Sequence, residues 1–262
     1  MTGDIHELTP VERHGDVWLK RDDLFQIFGA CGGKARAAYA LIRQGLDLGF
    51  DTFVTAGSRE SPQCELVSAI CEGLGVNAIC VMPRGKETSI IRNIGRNSHT
   101  ELVRAKLGYN TYIIHMAKKL AQERGAFYIP FGMECWDNIR MTMSQAANIP
   151  DNTGRVVVPV GSGMTLAALV NGLHLMGKRI PVLGIQVGKD PRKILDKYLF
   201  EACRDNYQIQ TAPMDYHTAC DGVAIDGIPL DRIYEAKCRP FLQGGDCLWI
   251  VGRRQEASNG DD

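Results

Sequence analysis

The chain has 262 residues, 45% of them hydrophobic and 23% charged, with 30 basic and 30 acidic side chains. That length buries a substantial core as one large or two small domains, and zero net charge gives no support for whole-surface attraction to nucleic acid or membrane, leaving only a local basic patch open. No apolar stretch reaches the length of a membrane span, and the polar start Met1-Thr2-Gly3-Asp4 does not read as a signal peptide. Residues 17–20 read as a strand, 35–48 as a helix with small and apolar residues at helical spacing, 52–55 as a strand and 63–74 as a helix. Residues 78–82 give another strand, followed by a basic segment and a helix over 112–123. The short apolar runs 155–160 and 181–187, bounded by turn residues, read as fully buried parallel strands. This alternation predicts the α/β class: open parallel sheets with helices on both faces.

Nine cysteines form no C-x-x-C pair and six histidines no H-x-x-x-H spacing. We expect reduced thiols in a cytoplasmic protein and no metal site.

Two segments carry chemistry. Gly161-Ser162-Gly163-Met164-Thr165 joins a buried strand to a helix over 166–175 that sets Leu166, Leu169 and Leu173 along one side. Backbone N–H groups of such a turn converge on an anion, and the helix dipole adds to the attraction; the bland reading is a tight turn. Leu166 stands at the third glycine position of a dinucleotide fingerprint, so that motif fails. The second segment is Gly32-Gly33-Lys34-Ala35-Arg36. It fails as a nucleotide P-loop, because Phe28 replaces the first glycine and Ala35 the magnesium-binding hydroxyl. An amine together with an anion cradle makes the pair of anchors that pyridoxal phosphate (PLP) needs: a Schiff base to the aldehyde and a seat for the phosphate.

Trp18-Leu19-Lys20-Arg21-Asp22-Asp23-Leu24 followed by the Lys34 segment resembles the Schiff-base signature of the tryptophan-synthase-β-like (fold type II) PLP enzymes. The branch it is most similar to is that of aminocyclopropane-carboxylate deaminase and D-cysteine desulfhydrase. Three further stretches resemble that branch in order: residues 55–63, its substrate-carboxylate loop; 161–165, its phosphate loop; and 230–237, its D-P-V-Y-x-G-K segment. With the strand–helix alternation, the order of these loops implies two domains with the PLP cleft between them, a larger one of residues 1–45 plus 141–252 and a smaller inserted one of 46–140; the polar stretch 253–262 reads as a flexible tail. The resemblance implies a homodimer as well.

Carried over residue by residue, the resemblance makes Lys34 the cofactor lysine and later proton shuttle, and seats the phosphate on Gly161, Ser162, Gly163, Met164 and Thr165. Glu235 then faces the pyridine nitrogen. Tyr234 stands near the reacting carbon as acid or base, with Tyr216 as the other active-site tyrosine. Ser61 approaches the substrate carboxylate, with Ser58 and Gln63 in the same loop. The sequence departs from the branch at Gly33 and Pro62, where asparagines are usual, and at Ser58 and Glu60; the cofactor scaffold is kept and the substrate loop rebuilt.

Two activities follow. One is deamination or β-elimination on a small amino acid through a carbanionic intermediate. The alternative is decarboxylation, or another lyase reaction, of an amino acid attached to a larger carrier such as a hypermodified DNA base. A third reading, a PLP-binding regulator without activity, sits poorly with the retention of Lys34, Tyr234 and Glu235. Arg84, Lys86, Arg92, Arg96, Arg104 and Lys106 cluster in sequence, with Arg92 and Arg96 spaced for one helix face. They form a solvated face or a landing patch for a phosphate-bearing substrate.

Overall fold

The computed structural model describes residues 4–252, so the expected tail over 253–262 lies outside the described residues. Contacts divide the chain into two compact units, Gln26–Cys135 and a second made of Asp4–Phe25 with residues 136–252. The expected boundaries at 45/46 and 140/141 thus fall at 25/26 and 135/136. Helix Gly33–Asp47 packs on helix Gln63–Leu74 and so joins the unit formed by Gln26–Cys135. Helix Trp136–Ser144 packs on helix Met164–Leu175, and the Trp136 ring meets Tyr198 edge-on at 5.0 Å, which ties the chain after Cys135 to the other unit.

In the unit Gln26–Cys135, four parallel strands lie in the order Thr100–Ala105, Asn77–Pro83, Thr52–Ala56, Phe127–Tyr128. Alternate side chains serve opposite faces. Val54, Ala56, Ile79 and Val81 pack with Ile113, Ala117 and Ala121 of helix Asn110–Arg124. Cys80 and Met82 point the other way, onto Cys64 and the isoleucines of helix Ser89–Ile94. That short helix ends before Arg96, so Arg92 and Arg96 do not share a helix face; Gly95 caps it.

The second unit is built on a six-stranded sheet in the order Val11–His14, Val17–Arg21, Cys247–Ile250, Val156–Val160, Val182–Gln186, Tyr207–Thr211. All neighbouring pairs are parallel except the edge strand Val11–His14, which runs antiparallel to its neighbour. Val156, Val158 and Val160 face helix Met164–Leu175, together with Trp249 and Tyr198. Leu166, Leu169 and Leu173 are all buried there, and so are Ala167, Ala168 and Val170, so the helix is enclosed on nearly every side. Removing one of these leucine side chains would cost about 2–5 kcal/mol. Val157, Leu183, Ile185, Leu248 and Ile250 face the opposite layer, where Tyr234, Ala236 and Cys238 pack. The parallel strands place their carboxyl ends, and the loops that follow them, along one edge of each sheet; ligands of open α/β sheets collect at such edges.

Candidate active site

The turn Gly161–Gly163 leaves strand Val156–Val160 and enters helix Met164–Leu175 directly. Gly163 has φ +102°, a conformation open to glycine, and a Cβ there would lie 2.8 Å from Pro191. No side chain caps the helix start; Ser162 Oγ only receives the Met164 N–H at a long 3.5 Å. The first-turn amides therefore remain available as anion donors. The neighbouring strand Val182–Gln186 adds a second wall. Val187 and Gly188 both donate their N–H groups to the Val160 carbonyl, and a Cβ on Gly188 would sit 2.5 Å from the Gly161 carbonyl oxygen. Gly188 was not singled out from the sequence, although a glycine immediately past a buried parallel strand is the available signal.

Tyr234 leans over this turn: a Cβ on Gly161 would come within 3.2 Å of its ring. Asp231 Oδ1 accepts the backbone N–H groups of Ile233 and Tyr234 and so fixes the bend before the short helix Glu235–Phe241. The Tyr234 hydroxyl lies 3.3 Å from that of Tyr216, with the rings edge to face at 6.0 Å. Lys237 is fully buried and donates its ammonium to the Asp215 carbonyl, which anchors the segment carrying Tyr216.

Glu235 is fully buried. One oxygen, Oε1, accepts the Val251 N–H at 2.8 Å; the other, Oε2, is buried with no hydrogen-bond partner. Burial pushes this carboxyl well above its ordinary range, and the nearby Asp231 charge adds to the shift. An orphaned buried carboxylate oxygen is expensive to keep, and the geometry suits a partner that brings its own donor.

In the unit Gln26–Cys135, Lys34 is the second residue of its helix and partly buried. Desolvation lowers its ammonium pKa, with no charged neighbour opposing the shift; the neutral amine is the nucleophilic form. The loop after strand Thr52–Ala56 closes a turn through the Ser61 N–H on the Ser58 carbonyl. Ser58 and Ser61 stay partly exposed. Gln63 does not: its amide donates to Thr55 Oγ1 at 2.8 Å and to the Pro130 carbonyl at 2.7 Å, and its carbonyl accepts the Gly132 N–H at 2.6 Å. Gln63 is thereby committed to holding the loop, and the two serines remain its accessible hydroxyls. The structure thus gathers Gly161–Thr165, Tyr234 and Tyr216 at one edge of the six-stranded sheet, with Glu235 beside Tyr234 and packed near strand Val156–Val160. Lys34 and the Ser58–Gln63 loop belong to the other unit.

No group of three or more His, Cys, Asp or Glu side chains among the described residues is arranged to hold a metal ion, all nine cysteines are free thiols, and no helix among the described residues is long and apolar enough to cross a membrane.

A Pyrococcus horikoshii protein provisionally named 1-aminocyclopropane-1-carboxylate deaminase is 30% identical over 184 residues, covering 66% of this chain and 56% of that protein. The D-cysteine desulfhydrase of Serratia proteamaculans is 27% identical over 203 residues, covering 70% of this chain and 59% of its own length. The O-seryl-dTMP PLP-dependent decarboxylase of Salmonella phage ViI is 24% identical over 192 residues, covering 64% and 45%. The chain thus spans about half to three fifths of the length of these relatives. The crystal structure of an ACC deaminase homologue superposes with a TM-score of 0.81 at 22% identity, covering 96% of this chain and 91% of that one, and shares the fold. A family model described as pyridoxal-phosphate dependent enzyme matches residues 4–237. Spanning nearly the whole chain, that match makes the protein a member of the PLP-dependent enzyme family.

Proposed function

We propose that the protein is a PLP-dependent deaminase or β-eliminating lyase acting on an amino-acid-type substrate. The observation that carries this reading is the Glu235 carboxyl, wholly buried with Oε2 unpartnered. In the unit with the six-stranded sheet the chemistry of the donor set fits the cofactor, with first-turn amides of helix Met164–Leu175 for a phosphate and Glu235 Oε2 for a pyridine nitrogen; in the other unit, Lys34 is the amine that the family resemblance assigns to the aldehyde. Bound there, PLP supplies an electron sink for bonds at the substrate α-carbon.

The residues then divide the work. Burial raises the Glu235 pKa, so its carboxyl is a proton source for a basic nitrogen opposite Oε2, and a proton shared from it to that nitrogen would leave a carboxylate in a charge-assisted hydrogen bond. Lys34, with its ammonium pKa lowered, serves both as attachment point and as the base that moves a proton at the α-carbon. Tyr234, hydrogen-bonded to Tyr216, holds a phenolic proton that can be relayed between the two rings. The hydroxyls of Ser58 and Ser61 receive the substrate carboxylate, and Gln63 positions them. Free thiols throughout suit a reducing cytoplasm, and family resemblance supports a homodimer.

A second reading is favoured by the phage relative: decarboxylation of an amino acid attached to a carrier. Incubation of the holoenzyme with free and nucleotide-linked amino acids, followed by mass spectrometry, separates the two. Ammonia with a keto acid supports deamination, carbon dioxide supports decarboxylation, and no product from any substrate overturns both.

A further inference from the structure

The basic segment is not used by the chemistry above. Residues 84–106 carry six basic and two acidic side chains in a chain whose total charge is zero, and the fold brings part of that excess to one place. Three consecutive loops leave the carboxyl ends of parallel strands Thr52–Ala56, Asn77–Pro83 and Thr100–Ala105. They deliver Arg59, Arg84 with Lys86, and Lys106 to one edge, while Arg104 near the end of the third strand reaches back to it. The loops are stitched together by the cations themselves. Arg59 Nη1 donates to the Lys86 carbonyl at 3.2 Å, Arg104 Nη2 to the Gly85 carbonyl at 3.2 Å, and Thr88 Oγ1 to the Arg59 carbonyl at 3.0 Å. The Arg59 guanidinium lies so close to Gly85 that a Cβ there would meet it at 2.6 Å.

None of these five cations forms an ion pair among the described residues, and Arg104 Nη1 is buried without a hydrogen-bond partner. Glu60 and Glu87 are the acids of the same loops, so the cations outnumber them. Arg92 and Arg96 lie further along, outside the cluster. Beside Lys106, Leu107 and Tyr109 are 50% and 73% exposed, and the Tyr109 ring stacks on no other aromatic ring among the described residues. The Ser58–Ser61 turn is part of the first of these loops, so this basic edge is continuous with the residues assigned to the substrate carboxylate.

Five cations along one edge, with an exposed aromatic on the third of its loops, match a polymer that alternates phosphates with planar bases; a free amino acid offers one carboxylate and no use for the rest. We propose that this edge binds the phosphodiester backbone of a single nucleic acid strand, with a base stacked on Tyr109, and that the strand presents the amino acid on which the enzyme acts. The proposal rests on the carrier-linked reading of the function and names its carrier. Phosphate contacts give affinity that falls with salt, and aromatic stacking accepts any base.

The test is fluorescence anisotropy of a short labelled strand, as DNA and as RNA of the same sequence, titrated with holoenzyme over a series of salt concentrations. Saturable binding is expected, with log affinity falling by roughly 0.7 per phosphate contact per decade of salt. Arg84→Ala/Lys86→Ala, at two exposed positions, should flatten that slope by roughly 1.4. Tyr109→Ala should weaken binding roughly ten-fold or more and leave the slope unchanged. Lys119→Ala, on the exposed face of the helix in the same unit, should alter neither. A difference between the DNA and RNA arms identifies the strand. Absence of saturable binding, binding insensitive to both patch variants, or binding to vesicles of anionic lipid in place of either strand would each overturn the proposal. Strand affinity is read without turnover, so its loss indicts this surface alone, whereas absent turnover with an intact salt slope indicts the chemistry.

Discussion

The backbone of Gly188 lies against that of Gly161, so close that a Cβ on the former would sit 2.5 Å from the carbonyl oxygen of the latter. The two loops that leave adjacent parallel strands are thus in backbone contact, and the anion turn takes its shape from the strand beside it as much as from its own glycines. Gly188→Ala must push the Gly161 turn aside. We predict a loss of about 1–3 kcal/mol in unfolding free energy, the usual effect of an overpacked site, accompanied by a lower PLP occupancy measured by absorbance. An alanine variant with unchanged occupancy and melting temperature would contradict this account of the turn.

The orphaned Glu235 carboxyl makes a prediction that needs no turnover. Its folded-state pKa is raised by burial and by Asp231, so the apo-protein is favoured while the group is protonated in both states. As pH rises past the ordinary glutamate range the unfolded chain ionises first, and stability falls until the folded pKa is passed, at up to about 1.4 kcal/mol per pH unit from this one group. Glu235→Gln removes the titration. Apo-protein melts of wild type and variant should therefore diverge from mildly acidic pH upward, with the variant gaining. In the holoenzyme the same substitution should keep PLP bound and slow turnover roughly ten- to a hundred-fold, the equivalent of one charge-assisted hydrogen bond of ~1.5–3 kcal/mol.

How much of this was legible in the sequence depends on what the signal was made of. Strands Val156–Val160 and Val182–Gln186 announce themselves because both faces are buried and every position except the terminal Gln186 is apolar or small. Strands Val11–His14, Thr100–Ala105 and Tyr207–Thr211 hide because they are mixed polar edges, held by pairing to a neighbour. Cys247–Ile250 is fully buried between two partners, yet four residues are too few for a period to show. The glycines of 161–163 are readable as an anion turn from their own chemistry, whereas Glu235 is legible only through the family resemblance, because its burial comes from the fold. Gln63 illustrates the opposite error: its position in the substrate loop suggested contact with substrate, and the fold commits its amide to Thr55, Pro130 and Gly132.

The tyrosine pair separates positioning from proton transfer. Tyr234→Phe keeps the ring that packs over Gly161 and removes the hydroxyl that meets Tyr216. Cofactor occupancy should hold, while kcat falls roughly 10²–10⁴-fold if the phenol moves a proton in the slow step, with a solvent isotope effect that changes in size. Tyr216→Phe removes only the relay partner and should fall less. Equal and small losses in both variants would reduce the pair to packing.

Lys34 is the test on which the cofactor assignment stands. Burial lowers its ammonium pKa with no opposing charge, so the amine is neutral over a wider pH range than a surface lysine and ready to attack an aldehyde. Borohydride treatment of the holoenzyme should fix PLP to the peptide containing Lys34, identified by its mass after proteolysis. The fold of the Lys34→Ala protein should survive, because the helix it starts is held by Ala35, Ala37, Ala38, Leu41 and Ile42, all buried. That variant should retain PLP through the Gly161–Thr165 amides and Glu235 alone, more weakly and without the reducible link. Reductive trapping at the same yield on another lysine of the variant would take Lys34 out of the mechanism, and with it the reading of its lowered pKa as a functional device.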